Sequence, residues 1–342
     1  MSVNENAFYQ SVLWKKIKEK LDERHQLAEE VADVLQCSRD SAYRRIRNET
    51  LLSLEETVAL VKHYSISMVE VTGYSDQAAV FQRHAFINSL EKYEGYMERS
   101  LEQLKHIQDH KNHVMYYLAK DIPVFYQFGF EKLCRFKIYV WLKSLYNVQK
   151  LNDVNYNLSM IPQRLVDLAK QQWECFTRIN TVEIWNDTTI SSLLKQIEYY
   201  YEAGLLTSRE EALDLCDEFQ QMMKVIYKQS LDGQKVHAHN TEMLSGASCA
   251  VYFHEVLIMD NHILSTFDEH RRAYFIPYGG VNFLSTTNPE ITGEMLGYIK
   301  QQCSKSALIS DVSEKDRNRF FIKIKNRIDQ LRDKINTTDP FL

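Results

Sequence analysis

Residues 27–71 read LAEEVADVLQCSRDSAYRRIRNETLLSLEETVALVKHYSISMVEV, and the reading of this stretch decides the N-terminal fold. Leu27, Val31, Val34 and Leu35 recur at i, i+4, i+7 and i+8, the stripe of an amphipathic helix. Gln36-Cys37-Ser38 interrupts it, and Ser38 stands where an N-cap hydroxyl would open a second helix over RDSAYRRIR. Ala42 and Ile46, four apart, predict the inward side of that helix, with the polar residues facing out. Ser53 and Glu56 have the spacing of a capping box, opening a helix with Leu54, Val58 and Val61 inward. Upstream, Phe8, Val12, Ile17 and Leu21 predict an opening helix. Downstream, Ser67–Val71 reads as a short turn ending at Gly73. No glycine precedes Gly73 and no proline precedes Pro123, so short polar turns must join the early helices.

Charge narrows what such a bundle can bind. The whole chain carries −5, and residues 1–72 hold 10 Lys/Arg against 12 Asp/Glu. Neither is a general polyanion binder, so nucleic-acid binding needs a local positive surface. Residues 39–47 supply one, with four arginines and one aspartate, net +3.

This stretch resembles the helix-turn-helix of lambda-repressor-like, Cro/XRE-type transcriptional regulators over about residues 8–73. In that family one helix braces on the phosphate backbone and the next enters the major groove. The resemblance implies a recognition helix from near Ser38. Arg39, Asp40, Ser41, Tyr43, Arg44 and Arg47 then stand at base- or phosphate-contacting positions, and Arg45 flanks the backbone. Three residues depart from the pattern. Cys37 and Glu49 stand where relatives often have glycine, and Ala42 is small for its core position. More loosely, the whole chain is similar to a group of regulators common in Bacteroidota that carry a long C-terminal extension.

Beyond the head, Phe86, Leu90, Tyr93, Met97, Leu101 and Leu104 form a heptad-like seam, which fits a long coiled-coil-like dimerising helix or a helix packed on its own chain. Phe130–Leu145, Pro162 onward and Thr207–Glu210 onward read as further helices, and Tyr199–Tyr201 as aromatic packing. CAVYFHEVLIM, HILSTF, AYFIPY and VNFLST read as strands, the first two joined by a hairpin turn at Asp260-Asn261. Asn288-Pro289-Glu290 starts a helix to about Ser304, and Ser313 starts a last one with Phe320, Phe321, Ile324, Ile328, Leu331 and Ile335 inward. The expected fold class is therefore mainly α. It comprises a helix-turn-helix bundle (1–76), a long linker or dimerisation helix (77–112), a helical domain (113–235) and a small α+β domain (236–342).

Enzyme chemistry is not expected. GxGxxG, P-loop, GxSxG and HExxH motifs do not occur. Cys37, Cys134, Cys175, Cys216, Cys249 and Cys303 are too scattered for a zinc finger and fit reduced structural thiols. His237, His239, His254, His262 and His270 cluster without ligand spacing, so neither a metal nor a cofactor is expected. The polar stretch Ser306–Arg319 reads as helix capping. No signal-peptide pattern or membrane-length apolar run occurs, which places the chain in the cytoplasm. The expected partners are double-stranded DNA, a second copy of the chain, and an effector or protein partner. The rival expectation is a helical protein-interaction scaffold that binds no DNA.

Overall fold

The computed structural model describes residues 7–21, 27–72, 79–83, 86–146, 155–256 and 260–338. The chain divides into two compact units, residues 1–80 and 81–342.

Among the described residues of the first unit five helices follow one another: α1 (Phe8–Lys20), α2 (Leu27–Leu35), α3 (Arg39–Ile46), α4 (Leu54–His63) and α5 (Met68–Thr72). Leu13, Trp14, Ile17, Val31, Ala42, Leu60, Tyr64, Ile66 and Val71 form their common core. Two helices bury only part of the face their spacing predicts: Ile17 of α1 is in the core and Val61 of α4 packs against it, but other expected positions do not enter. In α1 the buried residues are Gln10, Leu13, Trp14 and Ile17, while Phe8 is 58% exposed. In α4 Leu60 is buried and Leu54 is 70% exposed. Short helices with apolar residues on several sides offer more than one stripe, and tertiary fit selects among them. Gly73, expected to end α5, lies outside the described residues.

The second unit overturns the expected mainly α class. Among the described residues it is an α/β body built on a nine-stranded mixed sheet. The strands are β1 (Gln82–Arg83), β2 (Val114–Ala119), β3 (Thr181–Trp185), β4 (Gln234–His237), β5 (Asn240–Phe253), β6 (His262–Thr266), β7 (Arg272–Tyr278), β8 (Asn282–Thr286) and β9 (Ala307–Leu308). Their order is β1-β8-β7-β6-β2-β3-β5-β4, with β9 also on β5. β2, β3 and β5 run parallel, and the others add antiparallel. The region read as a helical domain thus supplies two central strands, and no separate small α+β domain follows it. VMYYLA and TVEIW are short and largely buried on both faces, as parallel strands covered on both sides are, and such runs are easily taken for buried helix.

Side chains alternate across this sheet. From β2, Met115, Tyr117 and Ala119 enter one core, and Leu118 faces the other. The larger layer holds α6 (Leu90–Gln108), α7 (Val124–Phe128), α8 (Glu131–Val140), α9 (Gln163–Phe176), α10 (Ser191–Glu202), α11 (Arg209–Asp232) and α13 (Glu314–Thr337). α12 (Pro289–Ser304) covers the opposite face through Ile299.

Three further expectations change. The heptad-like seam is an internal one: Tyr93, Met97, Leu101 and Leu104 of α6 lie in the unit's own core. The helix is tied to α9 by Arg164 with Glu94 (3.3 Å) and Glu98 (2.7 Å). A three-four spacing reports an apolar stripe but not whose surface covers it. The hairpin at Asp260-Asn261 does not form, since β5 lies beside β3 and β6 beside β2. Ser313 is left-handed (φ 55°) and makes no capping bond. Instead Arg317 donates to the carbonyls of Ile309 and Val312 (both 3.1 Å), and Ser310 accepts from the Val251 amide (3.0 Å), fastening this loop to β5. No helix among the described residues is long and apolar enough to cross a membrane.

Candidate nucleic-acid interface

α2 and α3 meet at a tight turn closed by local backbone bonds. Gln36 takes the left-handed conformation (φ 49°), and the Cys37 amide donates back to the Ala32 carbonyl (3.0 Å). Ser38 then caps α3 by accepting from the Ser41 amide (3.3 Å). At the far end Asn48 is left-handed (φ 61°), and the Glu49 amide returns to the Arg44 carbonyl (2.8 Å). The two left-handed positions are therefore Gln36 and Asn48, one residue before Cys37 and Glu49. Asparagine tolerates this region better than most residues, so Asn48 suits it without glycine.

The C-terminus of α3 is held from α1. Gln10 donates to the carbonyls of Arg45 (2.8 Å) and Thr50 (3.0 Å) and accepts from the Leu52 amide (2.8 Å). One turn on, the Trp14 indole donates to the same Arg45 carbonyl (3.0 Å), and Asn48 donates to Ser11 (2.7 Å). These bonds satisfy carbonyls that a helix end leaves orphaned, and they fix the angle at which α3 leaves the bundle.

Glu56 of α4 completes the clamp by meeting Arg45 of α3. The guanidinium meets Glu56 through Nε (3.1 Å to each oxygen) and Nη2 (2.6 Å), and a second edge meets Ser41. Glu56 at the same time closes the capping box with Ser53. The bond from Arg45 holds the Glu56 carboxyl below its ordinary value. A depressed carboxylate stabilises the fold above its unfolded value of about 4.3, and that contribution is lost as pH falls through the lower folded value. Glu56→Ala is expected to cost the head about 1–2 kcal/mol through the lost cap and charge-assisted bonds. Faster amide exchange in α3 and α4 at neutral pH would show it, with the difference shrinking in acid. Equal exchange at every pH would count against the clamp.

The sequence-predicted residues therefore separate into two sets. Ser41 and Arg45 face the clamp. Arg39, Asp40, Tyr43, Arg44 and Arg47 are exposed along the outer side of α3. Arg39, Tyr43 and Arg47 follow one another at four-residue steps, and the two guanidinium carbons lie 5.9 and 5.8 Å from the centre of the Tyr43 ring. Both distances are within cation–π reach of the ring. Arg39 also pairs with Glu29 of α2 (2.9 Å), and Arg47 lies 3.9 Å from Glu49. Both pairs are exposed and weak enough to exchange for phosphate. No family model, no curated protein and no solved structure matches the chain.

Sequence reasoning missed Gln10, Trp14 and Glu56 as positioning residues. Gln10 and Trp14 stand i, i+4 on α1, but their partners are backbone groups more than thirty residues away, and Glu56, legible as a cap, meets the Arg45 side chain from another helix. Elsewhere the histidines form no centre: His237 and His239 are 5.7 Å apart ring to ring, and His239 lies 3.3 Å from Glu174. Among the described residues no group of three or more His, Cys, Asp or Glu could hold a metal ion. All six cysteines are unpaired. A polar cleft lies by the C-terminal ends of β3 and β5, but Lys323 there is paired with Asp187, and Arg319 lies 3.9 Å from Glu255.

Proposed function

We propose that this chain is a cytoplasmic, sequence-specific regulator of transcription that reads double-stranded DNA with α3, acts as a homodimer and carries an effector-sensing or assembly unit in residues 81–342. The observation that carries the reading is the outer face of α3. Three arginines and a tyrosine stand exposed there, on a helix whose other side is locked by Arg45, Gln10 and Trp14. Arginine suits both bidentate contact to guanine and phosphate pairing. Rigid placement of such groups is what groove reading demands. The low net charge is compatible with this, because the positive surface is local.

Pairing would present two α3 helices to half-sites about one duplex turn apart, roughly 34 Å. Because the α6 seam is covered internally, a dimer must use another surface.

Selection of random duplexes by the purified chain, followed by gel shift on the selected site, tests the reading. Arg44→Ala with Arg47→Ala is expected to weaken binding and to lower the slope of log K against log salt by about 2, near 0.9 per lost phosphate contact. Failure to select any duplex would reject it, as would affinity unchanged in the double variant. A scaffold role has one observation in its favour: Phe8 (58%), Tyr9 (56%) and Leu54 (70%) are exposed on the head. Under that reading the chain selects no duplex, and Phe8→Ser with Leu54→Ser abolishes capture of a protein partner.

A further inference from the structure

Residues 81–342 enclose a cavity that the DNA-reading function does not use. It lies between α6 and α7 on one side and strands β2, β6, β7 and β8 on the other. Its cavity volume is about 80 Å³, several times what a single water needs. Most of the wall is apolar. Tyr96, Tyr117, Phe125, Phe275 and Phe283 supply aromatic surface, and Met115, Ile107 and Ile263 fill between them.

The polar part of the wall is unusual. Ser265 is fully buried and Asn282 is 2% exposed. The Ser265 hydroxyl, both ends of the Asn282 amide and the Arg99 Nε are shielded from solvent and have no hydrogen-bond partner among the described residues. All three residues line this one cavity. Each unpaired buried polar group bears the full cost of its lost hydration. Native interiors rarely tolerate several together unless something else satisfies them. Arg99 is also the one charged residue among those lining the cavity, and neither aspartate nor glutamate is among them.

We propose that this cavity binds a small carboxylate with an apolar body, the carboxylate taken by Arg99, Asn282 and Ser265 and the body by the aromatic wall. Guanidinium, amide and hydroxyl donors together match a carboxylate's two acceptor oxygens. A cation facing an apolar space without a counter-charge favours an anion over a neutral guest of equal shape. The Asn282 carbonyl remains to accept a donor on the ligand. Binding stands on the cavity alone, and only its interpretation as the regulator's signal rests on the proposed DNA-reading role.

Calorimetry of the full chain tests binding without DNA, so its outcome is independent of the operator experiment. The probes are phenylacetate and hexanoate, with 2-phenylacetamide as the neutral comparison. Saturable uptake of a carboxylate is expected, tighter than that of the amide. Arg99→Gln should weaken carboxylate binding by about tenfold or more and leave the amide nearly unaffected. Asn282→Ala gives a second reading should Arg99→Gln fail to fold. It should weaken binding while leaving the ligand-free chain as stable as before or more so, because the deleted atoms have no protein partner. No saturable uptake of either carboxylate at millimolar concentration would overturn the proposal and leave a cavity filled by water alone. Equal affinity in the parent chain and in the folded variants would overturn it too.

Discussion

Lys235→Met is expected to destabilise residues 81–342 by about 3–5 kcal/mol, the range for removing one partner of a buried ion pair. Lys235 and Glu183 are both fully buried, and the ammonium lies 2.7 Å from the Glu183 carboxylate. Three other donors reach the same carboxylate: the Tyr126 hydroxyl (2.8 Å), the Thr181 hydroxyl (3.0 Å) and the Trp185 indole (3.0 Å). Lys235 in turn bonds the Tyr126 oxygen (2.6 Å) and lies 4.0 Å from the centre of the Phe176 ring. Burial first, and then the Glu183 charge, pushes the Tyr126 phenol well above its ordinary value, so the phenol stays a donor. Without Lys235 the carboxylate keeps its hydrogen bonds but loses its only counter-charge among these partners. Adding Glu183→Gln to Lys235→Met should recover much of the loss. Denaturant unfolding of the parent chain and the two variants, with amide exchange in β3 and β4 isolating this unit, measures the loss and its recovery. A loss below about 1 kcal/mol in the single variant would mean that the pair contributes no more than a surface one.

Gln10→Leu is expected to cost the head about 2–4 kcal/mol and to lower affinity for a selected duplex, although Gln10 belongs to α1 and not to the outer face of α3. The substitution leaves the Thr50 carbonyl and Leu52 amide without their partner, each worth roughly 1–3 kcal/mol when buried and unmade. The Arg45 carbonyl keeps Trp14. The segment joining α3 to α4 loses its anchor, and the angle of α3 is less well defined. A positioning residue has a distinct signature here. Affinity falls but the salt slope stays that of the parent chain, because no phosphate contact is deleted. Arg44→Ala with Arg47→Ala lowers both. Gel shifts over a salt series, with amide exchange in residues 81–342 as the control for general unfolding, separate the two. A slope that fell equally in Gln10→Leu would place this residue on the DNA.

Much of the local structure was legible because its causes are local. Ser38, Ser53 with Glu56, and Asn288 with Pro289 each cap the helix that follows, since a cap depends on neighbours within one turn. Ser208, rather than Thr207, caps α11 by accepting from the Glu211 amide, a shift of one residue within the same signal. The six apolar positions of α13 all enter the core. The exposure of Arg39, Tyr43, Arg44 and Arg47 follows from Ala42 facing inward on a helix this short.

Sequence alone determined where many segments turn helical or extended, and which helix carries the arginines, because capping and periodicity act over one turn. Tertiary structure alone decided what those segments pair with. It set VMYYLA and TVEIW side by side with CAVYF in one sheet, turned the α6 seam onto its own chain, and brought Lys235 to Glu183 across 52 residues. It also turned Arg45 away from the exposed arginines to meet Glu56. Such choices depend on which distant surface excludes water from an apolar face or supplies a buried charge with its partner, and adjacent residues carry no record of that.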